Sequence, residues 1–125
     1  MTFAYWCVLA AAILPLAWIA IAKSGIADYD NDHPRAALAR AEGRAQRAYW
    51  AEQNALEAFP PFAAGVIIAH MTGGAEQLTI DLLAGLFIIA RVIHGLAYVN
   101  DKGLPRSFAW LAGFVCVIGL FIAAA

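Results

Sequence analysis

Charged side chains are scarce in this sequence: they make up 14% of its 125 residues, whereas hydrophobic ones make up 63%. A soluble domain carries about 25% charged and about 45 to 50% apolar residues. The chain is therefore predicted to be an integral membrane protein in contact with lipid. Its formal net charge is −1 and its eight Lys and Arg residues are clustered, so no broad basic surface indicates a nucleic-acid partner.

Cysteine is nearly absent as well. Cys7 and Cys116 are single residues in apolar runs, far apart in the chain. They form no CxxC pair and no Cys/His spacing of the kind that holds zinc or carries out redox chemistry. We interpret both as small core residues and predict no metal site.

Long apolar segments define the expected fold. Residues 3–22 contain no charged side chain, and a helix of this length, at about 1.5 Å per residue, spans a hydrocarbon core of about 30 Å. The whole pattern predicts a single domain of residues 1–125 with four transmembrane helices at about 3–22, 45–70, 76–98 and 107–124. A polar loop and a short amphipathic segment from Pro34 precede the second helix, and Ser107 is expected to cap the fourth. The predicted class is an all-α, up-down four-helix bundle.

Positive charge predicts the orientation. The Lys and Arg residues in or beside the first and third loops are Lys23, Arg35, Arg40, Arg44, Arg47, Lys102 and Arg106. The second loop, residues 71–77, has none. By the positive-inside rule the first and third loops are cytoplasmic, and both termini lie on the opposite side of the membrane.

One predicted transmembrane segment carries a polar stripe. Arg47, Trp50, Asn54, Glu57 and Pro61 follow one another at steps of three or four residues, which places them on one face of a helix. Ionisable groups at membrane depth cost about 2.5 to 3.5 kcal/mol each on insertion scales, so they tend to face a bundle interior or a ligand. The chemistry of the protein is expected on this face.

A second polar stripe approaches the same membrane surface from the third helix: Arg91, His94 and Tyr98, at i, i+3 and i+7. Together with Arg106, the two stripes predict a site for a small anionic ligand. Arginines supply forked donors to carboxylates, whereas Asn54 donates and accepts and Glu57 accepts from an amino group. In the alternative interpretation, Glu57 and Arg91 neutralise each other, and Arg47 and Arg106 extend to lipid headgroups.

Three motifs carry a family resemblance. The segment from Arg47 to Phe62 resembles the second-helix signature of the membrane-associated proteins in eicosanoid and glutathione metabolism, the MAPEG family: an Asn, a Glu three residues on and an aromatic-Pro-x-Phe ending. The segment from Arg91 to Tyr98 is similar to the family's third-helix Arg-x-x-aromatic-x-x-x-Tyr. Arg106 followed by Ser107 looks like its fourth-helix arginine.

The resemblance implies a homotrimer of four-helix protomers that binds glutathione between neighbouring subunits near the cytoplasmic face. The position matching Arg106 stabilises the glutathione thiolate in catalytic members. Positions matching Arg47, Asn54, Glu57, Arg91 and Tyr98 contribute to the site or its support. The sequence departs from leukotriene-synthase-like members at Trp50, where they have an arginine, and at His94, where they have a tyrosine.

The leading hypothesis is therefore a bacterial-type, inner-membrane glutathione transferase or peroxidase. It would join the thiolate to, or reduce, a lipophilic electrophile dissolved in the bilayer. One alternative is a non-catalytic membrane subunit that packs in a larger complex and uses the polar stripes between subunits. A small transporter component ranks lowest, because four helices without discontinuous repeats offer little for alternating access.

Overall fold

A computed structural model describes all residues, Met1–Ala125. The chain forms five helices and no strand, which are α1 (Phe3–Ser24), α2 (Pro34–Ala39), α3 (Gly43–Thr72), α4 (Gln77–Val99) and α5 (Gly103–Ala124). All except α2 are long and apolar enough to cross a membrane. The predicted all-α class with four membrane-spanning helices is confirmed.

The start of the second long helix lies close to the prediction, whereas the start of the last helix differs from it. The short α2 ends before α3 begins, because residues 40–42 leave the helix and Gly43 has a φ of +58°, in the left-handed region. The last helix begins at Gly103 rather than at about 107, so Ser107 lies inside it and does not cap it. Pro105 occupies the first turn of α5, where its fixed φ and missing N–H are tolerated.

The four long helices pack as two closely associated pairs, α1 with α3 and α4 with α5, which also contact each other. One core cluster centres on Phe62 and Phe87, whose rings stack with centroids 3.9 Å apart. A second cluster, nearer the α3 N-terminus, surrounds Trp18 and includes Ala48, Ala51 and Ala55 of α3. Small residues at such contacts let helix backbones approach closely, as is usual between membrane helices.

Helix α3 continues through two consecutive prolines, Pro60 and Pro61. A proline inside a helix removes the hydrogen bond to the carbonyl four residues earlier. The carbonyls released in this way belong to Leu56 and Glu57. The backbone hydrogen bonding of α3 is therefore locally weakened at Glu57, the carboxylate residue of the polar stripe.

Candidate functional site

Three adjoining cavities open between α3, α4 and α5, and Asn54 lines all of them. The inner cavity, of about 210 Å³, is lined by Asn54, Glu57, Ala58, Pro61, Phe87, Arg91, Trp110, Gly113 and Phe114. The Arg106 cavity, of about 290 Å³, is lined by Asn54, His94, Tyr98, Arg106, Ser107 and Trp110. The Trp50 cavity, of about 340 Å³, is lined by Trp50, Gln53, Asn54, Glu57 and Tyr98. Six of the seven predicted site residues therefore lie around one composite cleft.

Asn54 links the two oppositely charged side chains of this cleft. The Arg91 guanidinium, 4% exposed, donates a 2.7 Å hydrogen bond to Asn54 Oδ1. Asn54 Nδ2 in turn donates to Glu57 Oε2 over 3.4 Å. Glu57 and Arg91 thus meet through the amide rather than in a direct ion pair, since the chain's one ion pair joins His33 and Asp30.

Glu57 is exposed on the surface of the protomer. It lies 14 residues after the start of α3, about 21 Å along the helix, well inside a membrane-spanning segment. A carboxylate exposed to lipid at this depth is costly. A ligand or a neighbouring protein surface is therefore needed to cover it.

Tyr98 positions Arg106 at the end of the cleft where α5 begins. The Arg106 Cζ lies 4.6 Å from the centroid of the Tyr98 ring, a cation–π distance. His94 packs edge-on against the same ring at 5.6 Å, and Trp50 lies 6.4 Å from it. These aromatic contacts hold the guanidinium beside the cavity instead of leaving it free at the membrane surface.

His94 is buried, at 3% exposure, and its Nδ1 atom has no hydrogen-bond partner. Unpaired buried polar atoms cost about 1 to 3 kcal/mol and are uncommon in folded proteins. His94 also lines the Arg106 cavity.

Arg47 is the one predicted site residue outside the three cavities. Its Nε donates a 3.2 Å hydrogen bond to the carbonyl of Val99, the last residue of α4. Carbonyls at a helix C-terminus lack partners within the helix, and basic side chains often satisfy them. Arg47 thus links the start of α3 to the end of α4, two of the helices that form the cleft, without lining the cleft itself.

A family comparison agrees with this geometry. The model described as "MAPEG family" matches residues 3–125. The chain belongs to the MAPEG family. No curated protein and no solved structure gives a significant match. Family membership makes this a membrane protein of glutathione and eicosanoid metabolism, and MAPEG members generally use glutathione.

The sequence analysis missed three aromatic residues of the MAPEG cleft: Phe87 of α4, and Trp110 and Phe114 of α5. Trp110 and Phe114 of α5 line the inner cavity and stack on each other, with centroids 5.3 Å apart and planes inclined by 16°. They follow Arg106 at i+4 and i+8, so helical spacing places all three on one face. This spacing from Arg106 was the sequence signal that could have identified Trp110 and Phe114 as cleft residues.

Other polar groups of this MAPEG protein lie away from the cleft. At the opposite end of the bundle, His70 bonds to Thr2 and to the Val66 carbonyl, and so anchors the start of α1. In the first loop, a hydrogen bond from His33 is the main cause that lowers the pKa of Asp30 below its usual value. No three His, Cys, Asp or Glu side chains are grouped to hold a metal ion.

Proposed function

We propose that this MAPEG protein is a glutathione-dependent transferase or peroxidase that activates the glutathione thiol toward lipophilic electrophiles. The observation that carries the proposal is the composite cleft. Arg91, Asn54 and Glu57 line its inner cavity, and Asn54 also lines the adjoining Arg106 cavity, within helices long and apolar enough to span a membrane.

The polar groups of the cleft suit the chemistry of glutathione, which has two carboxylates, one ammonium group, two amides and a thiol. Arg91 offers donors to a carboxylate, Glu57 accepts from the ammonium group and Asn54 bonds an amide. His94 and Tyr98 supply further hydrogen bonds. Arg47 contributes indirectly by holding the end of α4.

Arg106 is the proposed catalytic residue. A thiol with a pKa of about 8.5 is mostly protonated at neutral pH, and a neighbouring guanidinium favours the thiolate. Arg106 also lies in the first turn of α5, where the positive end of the helix dipole adds to the effect. The thiol proton passes to water, and the sulfur then attacks an electrophile that arrives from the bilayer.

The proposed assembly is a homotrimer in which a neighbouring protomer covers the cleft. The exposure of Glu57 supports this assembly, because the protomer alone leaves that carboxylate uncovered at membrane depth. In the proposed setting, a bacterial inner membrane, the cleft opens near the cytoplasmic face. Both termini lie on the other side.

Thiolate formation tests the proposal. Glutathione is titrated into the purified detergent-solubilised protein while ultraviolet difference absorption is recorded, with S-methylglutathione as the control that has no ionisable thiol. A saturable thiolate signal with glutathione alone supports the function. Saturable binding of both compounds by calorimetry without a thiolate signal contradicts it.

One observation favours a second candidate, a non-catalytic subunit of a larger membrane complex. Arg91 and Glu57 each already bond to Asn54, and Arg47 bonds to a backbone carbonyl, so each of these charged groups has a partner within the protomer without a ligand. This candidate predicts no glutathione binding and co-purification with an unlike membrane subunit.

A further inference from the structure

A second groove, separate from the cleft, lies between α4 and α5 and has a volume of about 510 Å³. Its floor consists of small buried side chains, each 6 or 7% exposed: Ala90, Ala109 and Cys116. Its rims are large apolar side chains, each between 48% and 65% exposed: Leu86, Ile89, Ile93 and Phe108. No charged side chain lines this α4–α5 groove. Its walls therefore suit a hydrocarbon.

The α4–α5 groove and the cleft use different faces of the same two helices. On α4, Ala90 and Ile93 line the groove, whereas the residues that follow them, Arg91 and His94, line the cleft. On α5, Pro105 lines the groove and the next residue lines the cleft. A ligand in the groove would thus contact the helices that position the cleft side chains without entering the cleft.

The length of the groove matches one leaflet of a bilayer. Along α5 it extends over eleven residues, from Pro105 to Cys116, or about 16 Å at about 1.5 Å per residue. Half of a hydrocarbon core of about 30 Å is about 15 Å. Both helices are long and apolar enough to cross a membrane. An extended acyl chain of one leaflet therefore fits the groove in length and in polarity.

A lysine stands at one end of the groove. Pro105, Ala109, Ala112 and Cys116 all line it and follow one another at steps of four, three and four residues, which is one stripe of a helix. Lys102 precedes Pro105 by three residues, so it continues this stripe beyond the apolar part. The cation lies where α5 begins, at the membrane surface.

An acidic residue accompanies this lysine. Asp101 and Lys102 belong to the loop of residues 100–102 that connects α4 to α5. Both are exposed, and neither belongs to the chain's one ion pair. The groove thus ends at one positive and one negative side chain, each without an ion-pair partner in the protein.

We propose that the α4–α5 groove binds one ethanolamine phospholipid. An acyl chain lies in the groove, Lys102 donates to the phosphate, and Asp101 accepts from the ammonium group. Charge-assisted hydrogen bonds of this kind are stronger than neutral ones. A choline headgroup has no N–H group for Asp101, and a glycerol headgroup leaves the lipid with a net negative charge that this carboxylate repels. The proposal is independent of glutathione chemistry.

Native mass spectrometry in mild detergent tests the proposal. The full-length protein is titrated separately with phosphatidylethanolamine, phosphatidylcholine and phosphatidylglycerol that carry identical acyl chains. We expect binding to saturate at one phosphatidylethanolamine per chain. Its affinity should exceed that of the other two lipids by about two- to five-fold, as one exposed charge contact provides.

Two variants test the headgroup contacts. Asp101→Asn should abolish the preference for phosphatidylethanolamine over phosphatidylcholine, and asparagine tolerates the φ of +58° at this position. Lys102→Gln should weaken binding of both lipids by about two- to five-fold. Asp28→Asn and Arg44→Gln are the matched controls, since both residues are exposed at the same end of the bundle and line no part of the groove.

Two further variants test the acyl-chain contact. Ala112→Leu narrows the groove and should weaken all three lipids by about four-fold or more, because it displaces at least one buried methylene. Ala17→Leu, exposed on α1 and outside the groove, should bind like wild type. Phe108→Ala removes a rim that is 65% exposed and should also weaken all three. It decides the question if circular dichroism shows that Ala112→Leu is not folded.

Four outcomes would overturn the proposal. They are binding that does not saturate, as for annular lipid only; equal affinities for phosphatidylethanolamine and phosphatidylcholine; tighter binding of phosphatidylglycerol; and folded groove variants that bind like wild type. Thiolate formation with glutathione is unaffected by any of them, so the proposed function stands or falls separately.

Discussion

The guanidinium of Arg91 on α4 donates a 2.7 Å hydrogen bond to Asn54 Oδ1 on α3. This bond fixes the amide so that its Nδ2 is directed toward Glu57. Asn54 is also the residue that lines all three cavities. The contact between two helices and the shape of the binding cleft therefore depend on the same side chain.

Replacing Asn54 with Leu should destabilise the protein. Leu has a similar volume but leaves the buried Arg91 charge without its acceptor, at a cost of about 1 to 3 kcal/mol. The expected result is a lower apparent Tm by circular dichroism in detergent. Gln53→Leu is the matched control, since Gln53 is exposed on the same helix and bonds only to Tyr49. Equal Tm values for the two variants would show that the Arg91 bond contributes little.

Replacing Glu57 with Gln should weaken glutathione binding with little effect on folding. Glu57 is exposed and touches the network only through a 3.4 Å bond, but in the proposed site it accepts from the ligand ammonium group. Loss of that charge should lower affinity about five- to 150-fold, from about 1 to 3 kcal/mol. Calorimetry measures the change. Glu76→Gln, exposed at the opposite end of the bundle, should bind like wild type; unchanged affinity in Glu57→Gln would remove the assignment.

Helical periodicity predicted most of the α3 residues that line the cleft, but it also assigned one residue, Arg47, that does not line it. It placed Trp50, Asn54, Glu57 and Pro61 on one face, and all four line cavities. It also placed Arg47 there, yet that arginine turns to the Val99 carbonyl. A free carbonyl at the end of another helix is a tertiary feature that no spacing within α3 reports.

The missed parts of the fold have similar causes. Trp110 and Phe114 belong to an apolar run, where aromatic residues facing lipid and aromatic residues lining a cavity have the same pattern. The start of α5 was placed too late because Ser107 is a good cap residue and Pro105 was assigned to the turn. In the structure the proline lies within the first helical turn.

Gly95→Ala should be strongly unfavourable. A Cβ at this position would overlap the indole of Trp18, a buried ring at 4% exposure with little room to move. Overpacking costs about 1 to 3 kcal/mol, more than the roughly 1 kcal/mol that Ala gains over Gly in helix propensity. Thermal unfolding should show a lower apparent Tm. Gly103→Ala, with nothing within 4 Å of its Cβ position, should be neutral or slightly stabilised.

Native mass spectrometry in mild detergent should detect a homotrimer. The argument is the exposed carboxylate of Glu57 at membrane depth, which a protomer alone leaves uncovered. In a closed ring of three identical interfaces, the Glu57 carboxylate of each protomer is covered by its neighbour in the same way. A monomer that still binds glutathione would contradict the assembly and show that the ligand alone covers Glu57.

Arg106→Ala should separate glutathione binding from thiolate formation. Arg91, Asn54 and Glu57 remain in place, so most of the affinity should persist, whereas the sulfur loses its neighbouring positive charge. We expect the thiolate absorbance and most turnover to disappear at pH 7 and to recover in part as the pH approaches about 8.5, the pKa of a free thiol. The sign follows from the charge: removing a cation disfavours the anion and raises the pKa of the bound thiol.

Two controls sharpen the Arg106 experiment. Arg44→Ala removes an exposed arginine near the same end of the bundle and should leave the thiolate unchanged. Tyr98→Phe keeps the ring that lies 4.6 Å from the Arg106 Cζ and should retain thiolate formation, whereas Tyr98→Leu removes the cation–π contact and should reduce it. If the guanidinium lies next to the sulfur, its removal must raise the pKa of the bound thiol. Equal thiolate yield in Arg106→Ala and wild type would therefore contradict the catalytic role and leave Arg106 as a lipid headgroup anchor.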